Sequence, residues 1–154
     1  MCNSACDQLL MDAALHKAGF TVVLDRAGVT GSECPAHNGM WDMTISAVVP
    51  GLRLAAPRDG EQVRRLLREA VEVSDGPTVL RFPKGDVADP ITRVRQLGNL
   101  DVLLETGPGA EDLLIVGVGA VAAKSKGGAE KLAEPGCAVG GGDPRGELTV
   151  GQRP

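Results

Sequence analysis

Apolar residues come along this chain in short runs set between longer mixed segments. The runs Phe20 to Leu24, Leu52 to Ala56 and Thr78 to Phe82 are nearly continuous, as expected of strands covered on both faces in a parallel sheet. Between them the spacing changes. Within Asp7 to Lys17, Leu9, Leu10, Ala13 and Ala14 fall on one helical face, and Gly19 offers a stop. Trp41 to Val49 reads as a short helix closed by Pro50-Gly51. A longer helix opens at Pro57 and Asp59, where Asp59 and Gln62 have capping-box spacing, and its residues Val63, Leu66, Leu67, Ala70 and Val71 make one apolar stripe. Strands alternating with helices predict an α/β fold, a parallel sheet flanked by helices.

Past Pro83-Lys84-Gly85 the pattern dissolves into a polar linker, Asp86 to Asn99. Asp101 to Leu104 and Leu113 to Val118 read as strands joined in a hairpin through Gly107-Pro108-Gly109. Ala120 to Ala133 has helical character, weakened by Gly127 and Gly128. Cys137-Ala138-Val139 starts a further strand, which Gly140-Gly141-Gly142 is expected to end, and the glycine-rich tail reads as poorly ordered.

The loop after the first run carries Arg26, Glu33 and His37, and the loop after the third carries Lys84. Open α/β sheets bind ligands at the carboxyl ends of their strands, and parallel strands bring such loops to one edge. Arg26 offers a permanent planar charge for a phosphate or carboxylate. His37 can donate or accept a proton near neutral pH. The four side chains are therefore expected to converge.

Composition narrows the class. A hydrophobic fraction of 43% in 154 residues supports one ordinary domain or parts of two, and aromatics at 2% leave the core to Val, Leu and Ala. The net charge of −4 with dispersed basic residues argues against a nucleic-acid binder. Arg64, Arg65 and Arg68 read as the solvated face of a helix. No run of 18 or more apolar residues is present to span a membrane, and nothing looks secreted, so a cytoplasmic, reduced protein is expected. Cys2 and Cys6 lack a second pair or a nearby histidine to complete a zinc set.

The stretch Thr21 to Asp42, with Asp7-Gln8-Leu9-Leu10 before it and Arg81-Phe82-Pro83-Lys84-Gly85 after it, resembles the 1-deoxy-D-xylulose-5-phosphate synthase family of the transketolase superfamily. The likeness runs from about Asp7 to Gly85 and more loosely to Asp143-Pro144-Arg145. It implies a partial pyrimidine-binding domain over residues 1–86, a linker at 87–98, and the start of a transketolase C-terminal α/β domain over 99–154. It also implies the family reaction, in which pyruvate and D-glyceraldehyde 3-phosphate condense with loss of carbon dioxide on thiamine diphosphate and Mg2+. In that reading Arg26 and Lys84 bind the acceptor phosphate, His37 hydrogen-bonds the nascent alkoxide, and Glu33 stands where the family has an aspartate. The family's activating glutamate, its pyrimidine-stacking aromatic and its Gly-Asp-Gly domain have no counterpart here. The resemblance thus implies an internal fragment, truncated at both ends and inactive by itself.

Two other readings stand beside it, the first implied by the same resemblance and the second read from the residues. A non-catalytic remnant could pair with a full-length synthase, as the family's homodimers would allow. Alternatively, Gly117-Val118-Gly119-Ala120-Val121-Ala122 matches a dinucleotide fingerprint, with Asp143 at the distance of the ribose-binding acid, which would make the C-terminal half an NAD site.

Overall fold

The computed structural model describes residues 6–31, 38–107, 112–133 and 136–144, and the backbone of 147–149. The chain groups into two units, Met1–Ala56 with Arg64–Asp86 and Glu147–Pro154, and Pro57–Val63 with Val87–Gly146.

In the first unit an α-helical turn, α1 (Cys6–Gln8), runs into a π-helical segment, Leu9–Ala14. Leu15 N–H bonds to Leu10 O at 3.2 Å and Ala18 N–H to Ala13 O at 2.8 Å, five residues back in each case. Its stop differs from the one the sequence suggests. Lys17 takes the left-handed conformation, φ 51°, whereas Gly19 is required by close approach: a Cβ there would sit 2.6 Å from Ser74 Cα. Strands β1 (Thr21–Leu24), β2 (Arg53–Ala55) and β3 (Thr78–Arg81) form the predicted parallel sheet, with β3 between the other two. A short strand at Glu147–Thr149 pairs antiparallel with β2. Leu9, Ala13, Val49, Leu52, Leu54 and Val79 make the core, each side chain contributing roughly 1.5–3 kcal/mol for the larger aliphatics.

Helix α2 (Asp42–Ala47) lies in this unit, and α3 (Gly60–Glu72) begins among residues of the second unit and continues into this one from Arg64. Asp59 Oδ1 accepts the Gln62 amide at 2.9 Å, as the capping-box spacing predicts, while the Gln62 side chain returns to Arg58 N–H at 3.1 Å, one residue earlier than in the standard box. The apolar stripe is only partly used. Leu66 is buried, but Leu67 and Val71 are exposed.

The second unit holds a sheet whose order corrects three sequence expectations. With β4 (Arg95–Leu97), β5 (Leu100–Glu105), β6 (Leu113–Val116) and β7 (Val139–Asp143), the order is β4-β5-β7-β6. The expected polar linker therefore contains a strand: β4 is an exposed edge, and it turns into β5 at Gly98, φ 58°. Its polarity suits an edge with no core face. Strands β5 and β6 do not form a hairpin, because β7 lies between them, antiparallel to β5 and parallel to β6. Gly140, Gly141 and Gly142 do not end a strand but form the buried middle of β7. A Cβ on Gly142 would come within 2.9 Å of the end of the Leu100 side chain, whereas one on Gly141 would meet Leu104 at 3.4 Å, an ordinary packing distance. A turn of 3-10 helix, Gly119–Val121, leads into α4 (Ala122–Ala133), which packs on β7.

Candidate functional site

The first unit brings two of the sequence-derived cations to one edge. Arg26 follows β1 and Lys84 follows β3, and these strands are adjacent and parallel, with Leu24 opposite Arg81. Past the strand ends the ladder continues: Phe82 N–H bonds to Leu24 O at 3.1 Å, and Ala27 N–H to Phe82 O at 2.9 Å. The loops of Arg26 and Lys84 are thus clasped together at the carboxyl edge, with both side chains exposed. Glu33 and His37 lie outside the described residues.

Arg26 has a backbone the sequence did not announce. Its φ of 55° places a non-glycine residue in the left-handed region, at a cost of about 1–2 kcal/mol. Strain of this kind persists where surrounding contacts overdetermine it, and it concentrates at binding and catalytic sites. Here the next residue, Ala27, is buried and bonded to Phe82 O. On the loop's return limb, Gly39 N–H bonds to Gly28 O at 2.9 Å, and Asn38 Oδ1 accepts both the amide and the hydroxyl of Thr30 at 3.2 Å.

A second pair frames this loop. Arg81 Nε donates to Asp42 Oδ2 at 2.9 Å, tying the last residue of β3 to the first residue of α2, where Asp42 also accepts the Met43 amide at 2.9 Å. A carboxylate there suits the positive end of the helix. Sequence reading gave neither residue a role. A charge ending an otherwise apolar strand was the available signal.

The second unit contains a buried ionic cluster that sequence reading also missed. Arg58 Nε pairs with Asp59 at 3.1 Å, and its Nη1 pairs with Asp101 at 2.9 Å and Asp143 at 3.0 Å. Gln62 Nε2 donates to Asp143 Oδ2 at 3.1 Å, and Arg93 reaches Asp101 at 3.4 Å. Asp143 is fully buried, and its Oδ1 has no hydrogen-bond partner among the described residues. Burial raises the Asp143 pKa above the ordinary 3.8, against the lowering effects of Gln62, Arg58 and the nearby Gly119 amide. Burial alone would lower the Arg58 pKa, but the bonds and charges of Asp101 and Asp143 outweigh it and raise it.

This cluster bears on the dinucleotide fingerprint. Gly117 to Ala122 does connect a strand to a helix, and a Cβ on Gly117 would lie 2.4 Å from Ser125 Oγ, so that glycine serves helix–strand packing. Yet Asp143, the acid such a site would present to a ribose, is turned to Arg58 and Gln62 inside the fold.

Comparison with known proteins adds independent findings. The family model for the transketolase pyrimidine-binding domain matches residues 2–90. The chain is 62% identical over 120 residues to 1-deoxy-D-xylulose-5-phosphate synthase 2 of Streptomyces avermitilis, covering 78% of this chain and 19% of that protein. To 1-deoxy-D-xylulose-5-phosphate synthase of Mycolicibacterium gilvum it is 52% identical over 149 residues, covering 96% and 23%. The chain thus spans about a fifth of the length of the curated relatives it matches. Among solved structures, a split-gene transketolase described as an inactive β4 tetramer superposes with a TM-score of 0.73 at 23% identity, over 92% of this chain and 44% of that one. Transketolase from Campylobacter jejuni gives 0.74 at 16% identity, over 85% and 21%. At these identities the structural likeness is one of fold.

Proposed function

The chain belongs to the transketolase pyrimidine-binding domain family, and we propose that it carries the acceptor-phosphate cradle of a 1-deoxy-D-xylulose-5-phosphate synthase. In this reading residues 1–86 are part of the pyrimidine-binding domain, and the beginning of the C-terminal domain follows them and includes the edge strand β4. The observation that carries the proposal is the clasped pair of loops at the carboxyl edge of β1 and β3, with Arg26 held in a strained conformation beside the segment bearing Lys84.

The proposed division of labour follows from charge and donor type. Arg26 and Lys84 neutralise the phosphate of glyceraldehyde 3-phosphate, the former through a planar fork and the latter as a point charge. That fixes the aldehyde end of the acceptor relative to the edge, so that His37 can donate a hydrogen bond to the alkoxide that forms when the carbonyl is attacked. Glu33, the carboxylate of the same loop, takes the place of the family's aspartate. In the whole enzyme thiamine diphosphate, bound with Mg2+, supplies the electron sink for decarboxylation of pyruvate. The described residues do not fit that group: no cluster of three or more His, Cys, Asp or Glu is arranged to hold a metal ion, and no carboxylate is placed by motif to meet an aminopyrimidine. No step is therefore assigned to it on this chain. The isolated chain is expected not to turn over pyruvate and glyceraldehyde 3-phosphate, and steady product formation in a coupled assay would refute this.

Trp41, the only tryptophan, lies exposed beside the loop and gives a fluorescence signal for titration. Arg26→Gln and Lys84→Gln are each expected to weaken glyceraldehyde 3-phosphate binding roughly tenfold to a hundredfold, the worth of a hydrogen bond to a charged group. Unchanged affinity in both variants would remove the phosphate role.

A second reading, a non-catalytic subunit pairing with a full-length synthase, is supported by the exposed Met11, Leu15, Phe20 and Val23 of the first unit. Co-purification of the two chains would favour it, and a monomer in their mixture would count against it.

A further inference from the structure

We propose that Gly39 is a positioning residue for Arg26, an inference that rests on the phosphate role given to Arg26 above. The left-handed turn at Arg26 needs something to hold it, and the return limb of the loop lies directly against it. A Cβ on Gly39 would stand 3.0 Å from Ala27 Cα, 3.0 Å from Gly28 N and 3.4 Å from Arg26 O. All three are backbone atoms, so relief cannot come from a side chain swinging aside; the backbone of the turn, or of the limb at Gly39 that is bonded to it, must give by a few tenths of an ångström.

Conformation alone does not require glycine here, since the left-handed glycines of this loop are Gly28, φ 88°, and Gly31, φ 89°, and Gly39 is not among them. The constraint at Gly39 is contact. Its amide bonds to Gly28 O at 2.9 Å, and the neighbouring Asn38 side chain takes the amide and hydroxyl of Thr30, which is itself buried. On the other side, Ala27 is anchored to Phe82 O. The turn at Arg26 is therefore gripped between the β3 exit and the return limb. At Gly39 an added Cβ would meet two backbone atoms of the turn at 3.0 Å.

The test uses the 15N-labelled full chain and two readouts. The three-bond HN–Hα coupling of Arg26 reports its φ, and titration with inorganic phosphate and with glyceraldehyde 3-phosphate, followed at the Arg26 and Ala27 amides, reports binding. Gly39→Ala is expected to change the Arg26 coupling and to weaken phosphate binding roughly fivefold while circular dichroism stays native, because a cation displaced by a fraction of a bond length loses its aligned contacts. Asn38→Ala, which removes two bonds and adds no bulk, is expected to act in the same direction to a smaller extent and serves if the first variant does not fold. An Arg26 coupling and a phosphate affinity both unchanged in Gly39→Ala overturn the proposal. If the wild-type chain and Arg26→Gln take up phosphate equally, the functional reading fails, and with it the assignment of Gly39 as a positioning residue, even where the coupling still changes.

Discussion

Replacing Arg58 with methionine is expected to lower the stability of the chain by about 3–5 kcal/mol, the usual loss when one partner of a buried ion pair is removed. Methionine keeps much of the apolar stem and has no charge to offer, so the loss reports the ionic contacts rather than a cavity. The reason for so large an effect is what remains. Asp59, Asp101 and Asp143 have side-chain exposures of 3%, 5% and 0%, and without the guanidinium they lose the buried charge they share, keeping the neutral Gln62 bonds to Asp59 and Asp143 and the half-exposed Arg93 at Asp101. Against a total stability of roughly 5–15 kcal/mol for a domain, a change of this size is a large fraction, and it corresponds to a fall in melting temperature on the order of 10 °C. Arg58→Lys should fall in between, since one ammonium cannot reach Asp59, Asp101, Asp143 and the Ile91 carbonyl together. Arg53→Ala is the comparator: its partner Asp75 is 72% exposed, so the loss should stay below about 1 kcal/mol. Thermal and urea melts of the three variants decide the matter. An Arg58→Met variant as stable as Arg53→Ala would show that the cluster does not hold the second unit together.

That cluster also marks the limit of what the sequence disclosed. The first unit was legible because its determinants are local. Three apolar runs, a capping aspartate and a glutamine three residues on predict β1, β2, β3 and α3, and the rule that parallel strands share a carboxyl edge brings the loops of Arg26 and Lys84 together. The second unit depends on contacts far apart in the chain. Arg58 finds Asp101 43 residues away and Asp143 85 residues away, and no periodicity encodes such pairings. Gly140 to Gly142 carry the local signature of a strand end, yet pairing with β5 on one side and β6 on the other places them in the strand, with Leu100 packed close over Gly142. The hairpin between β5 and β6 fails for the same reason: the strand that separates them comes later in the sequence. The left-handed turn at Arg26 was hidden differently, because a residue type other than glycine gives no warning of a positive φ.

Removing the charge of Asp143 as well should return part of what Arg58→Met loses. If the penalty is an uncompensated buried carboxylate, the double variant Arg58→Met/Asp143→Asn is expected to be about 1–2 kcal/mol more stable than Arg58→Met, a coupling typical of groups in direct contact. The pH dependence gives the sign independently. Burial raises the folded pKa of Asp143 above its ordinary 3.8. Between 3.8 and that raised value the folded chain holds a proton that the unfolded chain has released, so stability from this group falls as pH rises through the window and is level above it. Asparagine has no such window, so the stability of Asp143→Asn relative to the wild type should increase with pH across it. Loss of Arg58 removes a hydrogen bond and a positive charge that lower the Asp143 pKa, so in the Arg58→Met background the window extends upward and the gap between Asp and Asn at residue 143 widens. Melts of the four proteins at pH 4, 5.5 and 7 measure both effects, with the other carboxylates cancelling in the differences. Parallel stability curves for Asp and Asn in the two backgrounds would mean that Asp143 is accommodated without Arg58.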